Sequence, residues 1–512
     1  MEISKKLFNK TALIFVLSLA TVQGAMAQQA KANKEEANRI KMEHDQIGIT
    51  EDKKSGYTHT TNAGAQWFPQ ADFGLFIHWS IASIKEVDLS WPMMAGTQIG
   101  WTRPMPDSAM VAKFIKDGDY FAGHHCEVDN SCLTPNQYWE QAKDFNPQSY
   151  DADKWIKAAK EAGMVYAVLT TRHHDGFAMW PSRYGNFNTK NYMGGRDLVK
   201  EFVAACHKYG IKVGLYYSGP DWYFNKDYQS FMYYGVGKNY PNIPELDANL
   251  KPRTTTRTAE EKQVHYEAVA AYIKGQVQEL LTNYGKVDMI WFDGSPDIPK
   301  GNPAWKNCIT MEQIHQLQPG IVVSPRFFGY GDYKTFEGDK SVPTTKQDGW
   351  AELCMTSANG WGYTKSPLKT TAYMLDKLVN CRALNTNLLL NFGPDKTGVF
   401  NSQQYQRFAE IAAWMKVNGE AVRGTAAINA AEYSSVPATA KDKYRYIFLS
   451  PNAKGADAKD ETITFKTTAN PKNVKMLLGD TKLNYKVQNG LISVTVPGKL
   501  RSQSVGVVAI EL

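Results

Sequence analysis

The sequence feature that most constrains the fold is a repeat between residues 73 and 420, in which short apolar runs alternate with amphipathic helical segments. Nearly continuous apolar runs of this length are typical of parallel strands that are buried on both faces. Repeated strand–helix units of this kind predict an α/β protein with a (β/α)8-like TIM barrel. The pattern assigns seven of the eight strands, which read GLFIHW, VYAVLTT, KVGLYYS, VDMIWFD, IVVSPR, ELCMT and NLLLNFG.

The character of the chain changes on either side of this repeat. Residues 28–65 are polar and are predicted to form an N-terminal lead-in to a catalytic domain at residues 66–424. In residues 425–512, short alternating runs such as YRYIFLS and LISVTVP are separated by turn residues. Alternation with frequent turns predicts a C-terminal all-β sandwich domain, for which we expect a structural role.

Residues 1–27 have the organisation of a cleavable signal peptide. Lys5, Lys6 and Lys10 precede the apolar run TALIFVLSLATV, and Ala25-Met26-Ala27 is a small-residue cleavage site. The apolar run is shorter than the roughly 20 residues that a membrane-spanning helix needs, so no membrane insertion is predicted. We expect an exported protein, periplasmic or secreted, after cleavage near Ala27.

The net charge of +7 on 512 residues comes from dispersed lysines and arginines rather than from a clustered basic run. Nucleic-acid binding requires a basic face, so no nucleic-acid partner is predicted. Among six cysteines, only Cys126 and Cys132 lie close together in a loop-like stretch, which makes them the candidate disulfide of an exported chain. No CxxC spacing occurs, which disfavours a structural zinc site. A homo-oligomer is compatible with this sequence.

Polar and titratable side chains lie at six predicted strand ends. In a parallel barrel, the loops at the carboxyl ends of the strands form the active site. Six consecutive ends of this kind are difficult to explain as independent structural residues. They are His78, His173-His174-Asp175, Tyr216-Tyr217, Asp293, Arg326 and Glu352.

Asp293 is the most informative of these residues because it ends the apolar strand VDMIWFD. A charge at the end of a buried strand costs free energy unless it is paired or used. Glycoside hydrolysis needs two carboxyl groups, which lie about 5–5.5 Å apart in a retaining enzyme. With Asp293 as the nucleophile, the candidates for the acid/base are Glu337 and Glu352.

A metal-dependent barrel hydrolase is an alternative from a different class, with His78, His173, His174 and Asp293 as ligands. Barrel amidohydrolases normally supply a His-x-His pair from the first strand, whereas the first strand here supplies only His78. Adjacent residues of a strand point to opposite faces, so His173 and His174 suit contacts with a ligand better than shared metal ligation. No metal is therefore predicted.

Six segments, in this order along the chain, resemble glycoside hydrolase family 29, the retaining α-L-fucosidases. The resemblance spans about residues 67–400, and the combination of HHDGF with a downstream WFDG is specific. It implies a barrel without a cofactor and a two-step reaction through a covalent fucosyl–enzyme. The segments are WFPQADFGLFIHWS, LTTRHHDGFAMWPSRYGNFNT, GRDLVKEFVAACHKYGIKVGLYYS, VDMIWFDG, CMTSANGWGY and NTNLLLNFGPDKTG.

Carried over by position, the resemblance implies that Asp293 is the nucleophile. Glu337 is favoured as the acid/base because it stands where many members read GDYxTPE, with Phe336 here in place of the proline. Glu352, in a Trp-Glu-x-Cys stretch, is the alternative acid/base. The residues implied to contact the sugar are His78, Trp91, His173, His174, Tyr217, Arg326 and Trp361.

The sequence departs from the family at two groups of sugar-contacting positions. Ser90 precedes Trp91 where members often carry a Glu-Trp pair, and the fifth strand reads SPRFFG where Asn-Asp-Arg-Trp-Gly is common. L-Galactose differs from L-fucose only by a hydroxyl on C6, so the expected partner is a fucosylated or L-galactosylated oligosaccharide. The alternatives on this scaffold are an α-L-galactosidase and a catalytically inactive carbohydrate-binding protein.

Overall fold

The fold is described from a computed structural model of the chain. The predicted signal peptide and the candidate disulfide between Cys126 and Cys132 lie outside the described residues. None of the helices that are described combines the length and the apolarity that a bilayer crossing requires. The described residues are Lys34, 59–93, 133–231, 245–326 and 331–512.

Eight parallel strands form one curled sheet, in the order β5-β4-β3-β2-β1-β8-β7-β6. This half-barrel confirms the predicted (β/α)8-like architecture. Within the described residues, β5 and β6 are the two edges of the sheet and no ladder of backbone hydrogen bonds joins them. The strands are β1 (Phe73–Ile77), β2 (Tyr166–Arg172), β3 (Lys212–Ser218), β4 (Met289–Asp293), β5 (Val322–Val323), β6 (Lys334–Glu337), β7 (Ala351–Thr356) and β8 (Asn387–Phe392).

Helices connect most of these strands, and local sequence signals mark their ends. The side chain of Asp151 accepts a hydrogen bond from the Lys154 N–H at the start of the second helix, which is a typical N-cap. In the described part of the chain, β5 leads to β6 and β6 to β7 without an α-helix. The helices are α1 (Pro135–Glu140), α2 (Ala152–Glu161), α3 (Thr189–Tyr192), α4 (Leu198–Tyr209), α5 (Ala259–Thr282), α6 (Met311–Leu317), α7 (Thr371–Arg382) and α8 (Ser402–Asn418).

The strand that the apolar pattern did not assign is β6. Its four residues, KTFE, include the exposed Lys334 and only one buried residue, Thr335. An edge strand without a covering helix needs no continuous apolar run, so its sequence lacks the signal that reveals the others. It pairs with β7 in parallel register, with Glu337 opposite Cys354. Glu337 therefore lies at the carboxyl end of a strand.

Alternate residues of the strands face the inside of the half-barrel and the helices outside it. This two-residue periodicity decides which side chain of each strand end reaches the interior. The outward-facing residues, such as Leu215 and Phe292, join the main core beneath the helices. The inward-facing residues form a separate core with Phe76, Tyr166, Val168, Tyr216, Met289, Trp291, Val322, Cys354 and Leu389.

Antiparallel strands follow the half-barrel and form the predicted β-sandwich, which has its own apolar core. Nε1 of Trp414 on α8 donates to the Val505 carbonyl oxygen at 2.8 Å, which ties the sandwich to the barrel. One sheet has the order β14-β17-β12-β11-β9 and the other β10-β13-β16-β15. These strands are β9 (Ala426–Ala427), β10 (Tyr433–Ser434), β11 (Ala438–Lys441), β12 (Tyr444–Leu449), β13 (Glu461–Lys466), β14 (Asn473–Met476), β15 (Asn484–Gln488), β16 (Leu491–Val496) and β17 (Gly506–Glu511).

Candidate active site

The carboxyl ends of the strands surround a small pocket. Asp293, the last residue of β4, lies in its wall and is only 8% exposed. The pocket gathers most of the residues that the sequence predicts for the site, together with others that it did not predict. Its lining side chains are Phe76, His78, Trp91, His173, Tyr216, Trp291, Asp293, Arg326, Glu337, Cys354 and Trp361.

Both carboxylate oxygens of Asp293 accept hydrogen bonds. The hydroxyl of Tyr216 donates to Oδ2 at 2.7 Å, and Nη1 of Arg326 donates to Oδ1 at 3.0 Å. Charge-assisted hydrogen bonds of this kind hold a carboxylate in one orientation. Asp293 is therefore a fixed carboxylate in the pocket wall, as a nucleophile must be.

A second carboxyl group bonds the same guanidinium. Glu337, the last residue of β6, accepts a hydrogen bond from Nη2 of Arg326 at 2.5 Å. The guanidinium carbon of Arg326 also lies 4.8 Å from the ring centre of Trp291, within the range of a cation–π contact. Because one guanidinium bonds both carboxyl groups, Asp293 and Glu337 are neighbours in the pocket, as a reaction with two carboxyl groups requires.

Three buried histidines surround this pair of carboxyl groups. Burial lowers the pKa of His78 and the pKa of His174 to about 4, and the pKa of His173 well below its usual range. All three imidazoles are therefore neutral at neutral pH. A neutral imidazole has one donor and one acceptor nitrogen, which suits it to bind a sugar hydroxyl.

The Nδ1 atom of each histidine contacts a polar side chain behind it. For His78 that atom is 2.8 Å from Oδ1 of Asn391. An amide oxygen can only accept, so His78 carries its hydrogen on Nδ1 and Nε2 is the acceptor. Nδ1 of His173 is 2.7 Å from Oγ of Ser90, the residue that stands where the resemblance leads one to expect glutamate.

Two tryptophans predicted to contact the sugar flank these histidines. The ring centre of Trp91 is 5.5 Å from that of His174, and the ring centre of Trp361 is 4.9 Å from that of His78. His174 itself is fully buried behind the lining, with Nε2 3.8 Å from Oδ2 of Asp293. Flat apolar rings beside hydrogen-bonding groups are typical of a site that binds one face of a sugar.

Tyr217, predicted to line the sugar site, does not reach the pocket. Its hydroxyl donates to Gln276 on α5 at 3.1 Å, and the Arg172 guanidinium lies 4.0 Å from its ring centre. The prediction is wrong because adjacent strand residues face opposite sides, and Tyr216 faces inward instead. Tyr216 pairs in register with Trp291, which also lines the pocket. Counting back in steps of two from Asp293 along β4 would have found Trp291.

Glu352, the alternative acid/base, is not at a strand end. It is the second residue of β7 and is fully buried inside the half-barrel. Its carboxyl group accepts hydrogen bonds from the Tyr166 hydroxyl at 2.6 Å and from Nε1 of Trp291 at 2.9 Å. Burial raises the pKa of Glu352 to about 7. Glu352 therefore holds the indole ring of Trp291 by a hydrogen bond and does not itself line the pocket.

His173, His174 and Asp293 lie close enough to be considered as metal ligands. One potential ligand atom of each lies within 4.8 Å of the others. The expectation that the two histidines point apart is wrong, because they follow the last residue of β2 and their ring centres are 4.2 Å apart. The guanidinium of Arg326 nevertheless bonds Asp293 directly, and a fixed positive charge there repels a divalent cation.

Comparison with known proteins decides the family. A family model described as alpha-L-fucosidase matches residues 44–420. The chain belongs to the α-L-fucosidase family. This confirms the resemblance to glycoside hydrolase family 29, and the matched fucosidase region ends before the first strand of the sandwich, Ala426–Ala427.

Individual fucosidases agree with this family assignment. The chain is 28% identical over 372 residues to the tissue α-L-fucosidase of Rattus norvegicus, covering 70% of this chain and 69% of that protein. It resembles the structure of α-L-fucosidase isoenzyme 1 from Paenibacillus thiaminolyticus with a TM-score of 0.63 and 25% identity, covering 88% and 99% of the two chains. A trapped covalent intermediate of a Bacteroides thetaiotaomicron α-L-fucosidase shares the fold, with a TM-score of 0.64, 23% identity and coverage of 91% and 98%.

The contact between Tyr216 and Asp293 leads to a prediction for a pair of neighbouring variants. In Tyr216→Phe, the carboxylate loses one of its two donors, and we expect kcat/KM on 4-nitrophenyl α-L-fucoside to fall about 10- to 100-fold, since hydrogen bonds to charged groups are the stronger ones. Tyr217→Phe is the matched control and should change kcat/KM by less than about 3-fold, because the partner of its hydroxyl among the described residues is Gln276, away from Asp293. Equal losses of kcat/KM in the two variants would contradict the conclusion that Tyr216, and not Tyr217, holds the carboxylate of Asp293.

The buried carboxyl group of Glu352 predicts a pH-dependent stability. Its pKa is 4.5 in a model peptide and about 7 in the folded protein, so between these values the folded state binds the additional proton. The free energy of unfolding then decreases as the pH rises, by at most about 1.4 kcal/mol per pH unit for one group. Glu352→Gln lacks this contribution, and its stability relative to the parent should rise between pH 4.5 and 7. Parallel unfolding curves across this range would contradict the prediction.

Proposed function

We propose that this protein is an exo-acting retaining α-L-fucosidase that removes terminal α-L-fucosyl residues from oligosaccharides or glycoconjugates. The observation that carries the proposal is the pair of carboxyl groups, Asp293 and Glu337, bonded to one guanidinium in a pocket lined by histidine and tryptophan. A small pocket with an 8% exposed nucleophile suits the end of a glycan better than the middle of a chain. The family assignment supports the choice of L-fucose.

In the proposed first step, Oδ2 or Oδ1 of Asp293 attacks the anomeric carbon of the sugar. The bond from that carbon to the leaving oxygen breaks, and the carboxylic acid of Glu337 donates its proton to this oxygen. The product is a covalent glycosyl–aspartate. Arg326 and Tyr216 hold the carboxylate in place for the attack.

In the second step, Glu337 acts as the base. Its carboxylate takes a proton from a water molecule, whose oxygen attacks the anomeric carbon and releases Asp293. Two inversions restore the original configuration of the sugar. The neutral histidines are proposed to bind the sugar hydroxyls during both steps, and no cofactor or metal ion takes part.

Hydrolysis by the parent protein and by Asp293→Ala tests the proposed activity. We expect 4-nitrophenyl α-L-fucoside to be hydrolysed faster than the α-L-galactoside, with no effect of EDTA, and Asp293→Ala to lose on the order of 10⁴-fold in kcat. Added azide should rescue that variant and give the β-L-fucosyl azide, because azide attacks from the face that the aspartate has left. A faster reaction with the galactoside would favour an α-L-galactosidase, and no hydrolysis of either would favour a sugar-binding protein.

The role of Glu337 is tested with substrates that differ in their leaving group. A phenol with a low pKa leaves without a proton, so Glu337→Gln should slow aryl fucosides with good leaving groups much less than natural fucosides. Glu352→Gln is the matched control, since Glu352 lies outside the pocket and should show no such dependence. Equal slowing of both kinds of substrate by Glu337→Gln would exclude it as the acid/base.

We also propose that the protein is exported to the periplasm or secreted, which rests on the organisation of residues 1–27. N-terminal sequencing of the protein from its natural host should then begin near Gln28. A chain that retains residues 1–27 in the cytoplasm would contradict this proposal.

A further inference from the structure

His174 lies between the nucleophile and the end of the neighbouring strand β3. On one side, Nδ1 of His174 is 2.6 Å from Oγ of Ser218, the last residue of β3. On the other side, Nε2 has no hydrogen-bond partner among the described residues and lies 3.8 Å from Oδ2 of Asp293. His174 and Ser218 are both fully buried. The hydrogen-bonding state of Ser218 therefore decides whether Nε2 of His174 carries a hydrogen or a lone pair on the side of Asp293.

The hydrogen atoms of the Ser218 hydroxyl and the His174 imidazole can be placed by elimination. Oγ of Ser218 is also 2.6 Å from the carbonyl oxygen of Pro220. A carbonyl oxygen can only accept, so the single hydroxyl hydrogen of Ser218 goes to Pro220. Oγ must then accept from Nδ1 of His174. The neutral imidazole consequently carries its hydrogen on Nδ1 and a lone pair on Nε2.

Buried contacts hold Ser218 in this arrangement. The guanidinium of Arg172 donates to the Ser218 carbonyl oxygen through Nη2, and its Nη1 lies 3.2 Å from Oδ2 of Asp221. The hydroxyl of Tyr272 on α5 donates to the same oxygen of Asp221 at 2.7 Å. Since these groups are buried and mutually bonded, the strand end and the turn that follows it cannot shift independently.

We infer that Ser218 is a positioning residue that fixes His174 in the tautomer whose Nε2 accepts, and cannot donate, a hydrogen bond. This inference rests on the proposed function. In this tautomer, the lone pair of Nε2 lies on the side of Asp293, which lines the pocket, and can accept a hydrogen bond from a hydroxyl of an L-sugar bound against the nucleophile. Nε2 also cannot donate to Oδ2 of Asp293, where a further donor would reduce the nucleophilicity of the carboxylate.

The tautomer can be measured directly in the unmodified protein. With ¹⁵N-labelled histidine, NMR distinguishes a protonated Nδ1 from a protonated Nε2, and the signal missing in His174→Gln assigns the residue. We expect Nδ1 to be protonated in the parent protein and the signal to move toward protonated Nε2 in Ser218→Ala. A protonated Nε2 in the parent protein overturns the inference, whether or not any variant folds or the protein hydrolyses fucosides.

Kinetics with deoxy sugars test the consequence for binding. One of the 2-, 3- and 4-deoxy α-L-fucosides lacks the hydroxyl that donates a hydrogen bond to His174. For that substrate, kcat/KM of the parent protein should be on the order of 10-fold lower than for the unmodified α-L-fucoside. Ser218→Ala should lose most of this discrimination at the same position. Unchanged discrimination at all three positions in Ser218→Ala overturns the inference.

Ser324→Ala is the matched control for these kinetics. Ser324 is equally buried, and its Oγ donates to the Phe292 carbonyl oxygen at 3.0 Å, but in the described part of the chain it has no hydrogen bond to an imidazole. Its variant therefore loses a similar buried hydroxyl beside β4 and should keep the discrimination of the parent. Loss of discrimination in Ser324→Ala as well would show a general disturbance of the site and overturn the specific role of Ser218.

Discussion

The contact of Arg326 with two carboxyl groups is the interaction on which the rest of the site depends. The carboxyl groups of Asp293 and Glu337 are both nearly buried and lose hydration there, so the charge of Asp293 needs a counter-charge. The guanidinium offers planar donors in a fixed geometry, so it can bond both groups at once. In the proposed reaction the charge of Asp293 disappears when the covalent bond forms. Arg326 then remains beside Glu337, which acts as a carboxylate in the second step.

The same contact also bridges the open side of the half-barrel. Arg326 follows the short strand β5, whereas Glu337 ends β6, and these two strands are the edges of the sheet. Here the carboxylate of Asp332 and the backbone around Val323 supply further hydrogen bonds between the edges. Polar contacts thus replace the continuous backbone ladder that joins the other strands. The position of the proposed acid/base depends on this contact with Arg326 as well as on the pairing of β6 with β7.

Burial of the histidines determines how the site can bind a sugar. A charged imidazole only donates hydrogen bonds, whereas a neutral one also accepts them. Because burial lowers the pKa of His78 and the pKa of His174 to about 4, each keeps an acceptor at neutral pH. Which nitrogen accepts is decided by the partner behind the ring, Asn391 for His78 and Ser218 for His174. These partners lie on other strands, so single-strand sequence patterns do not reveal them.

The sequence by itself determined the architecture, the family and the position of Asp293, because buried parallel strands require apolar runs and a charge at the end of one is conspicuous. It also gave Glu337 as the favoured candidate acid/base, through the resemblance of the surrounding residues to the family motif, although the apolar pattern did not predict the strand β6 that carries it. Only the tertiary structure decided that Tyr216 rather than Tyr217 contacts Asp293, and that Glu352 lies below the pocket. The physical reason is that the face of the sheet to which a strand side chain points depends on how the strand is aligned with its neighbours and on the residue at which the strand ends. Both depend on pairing with distant strands, which local composition does not encode.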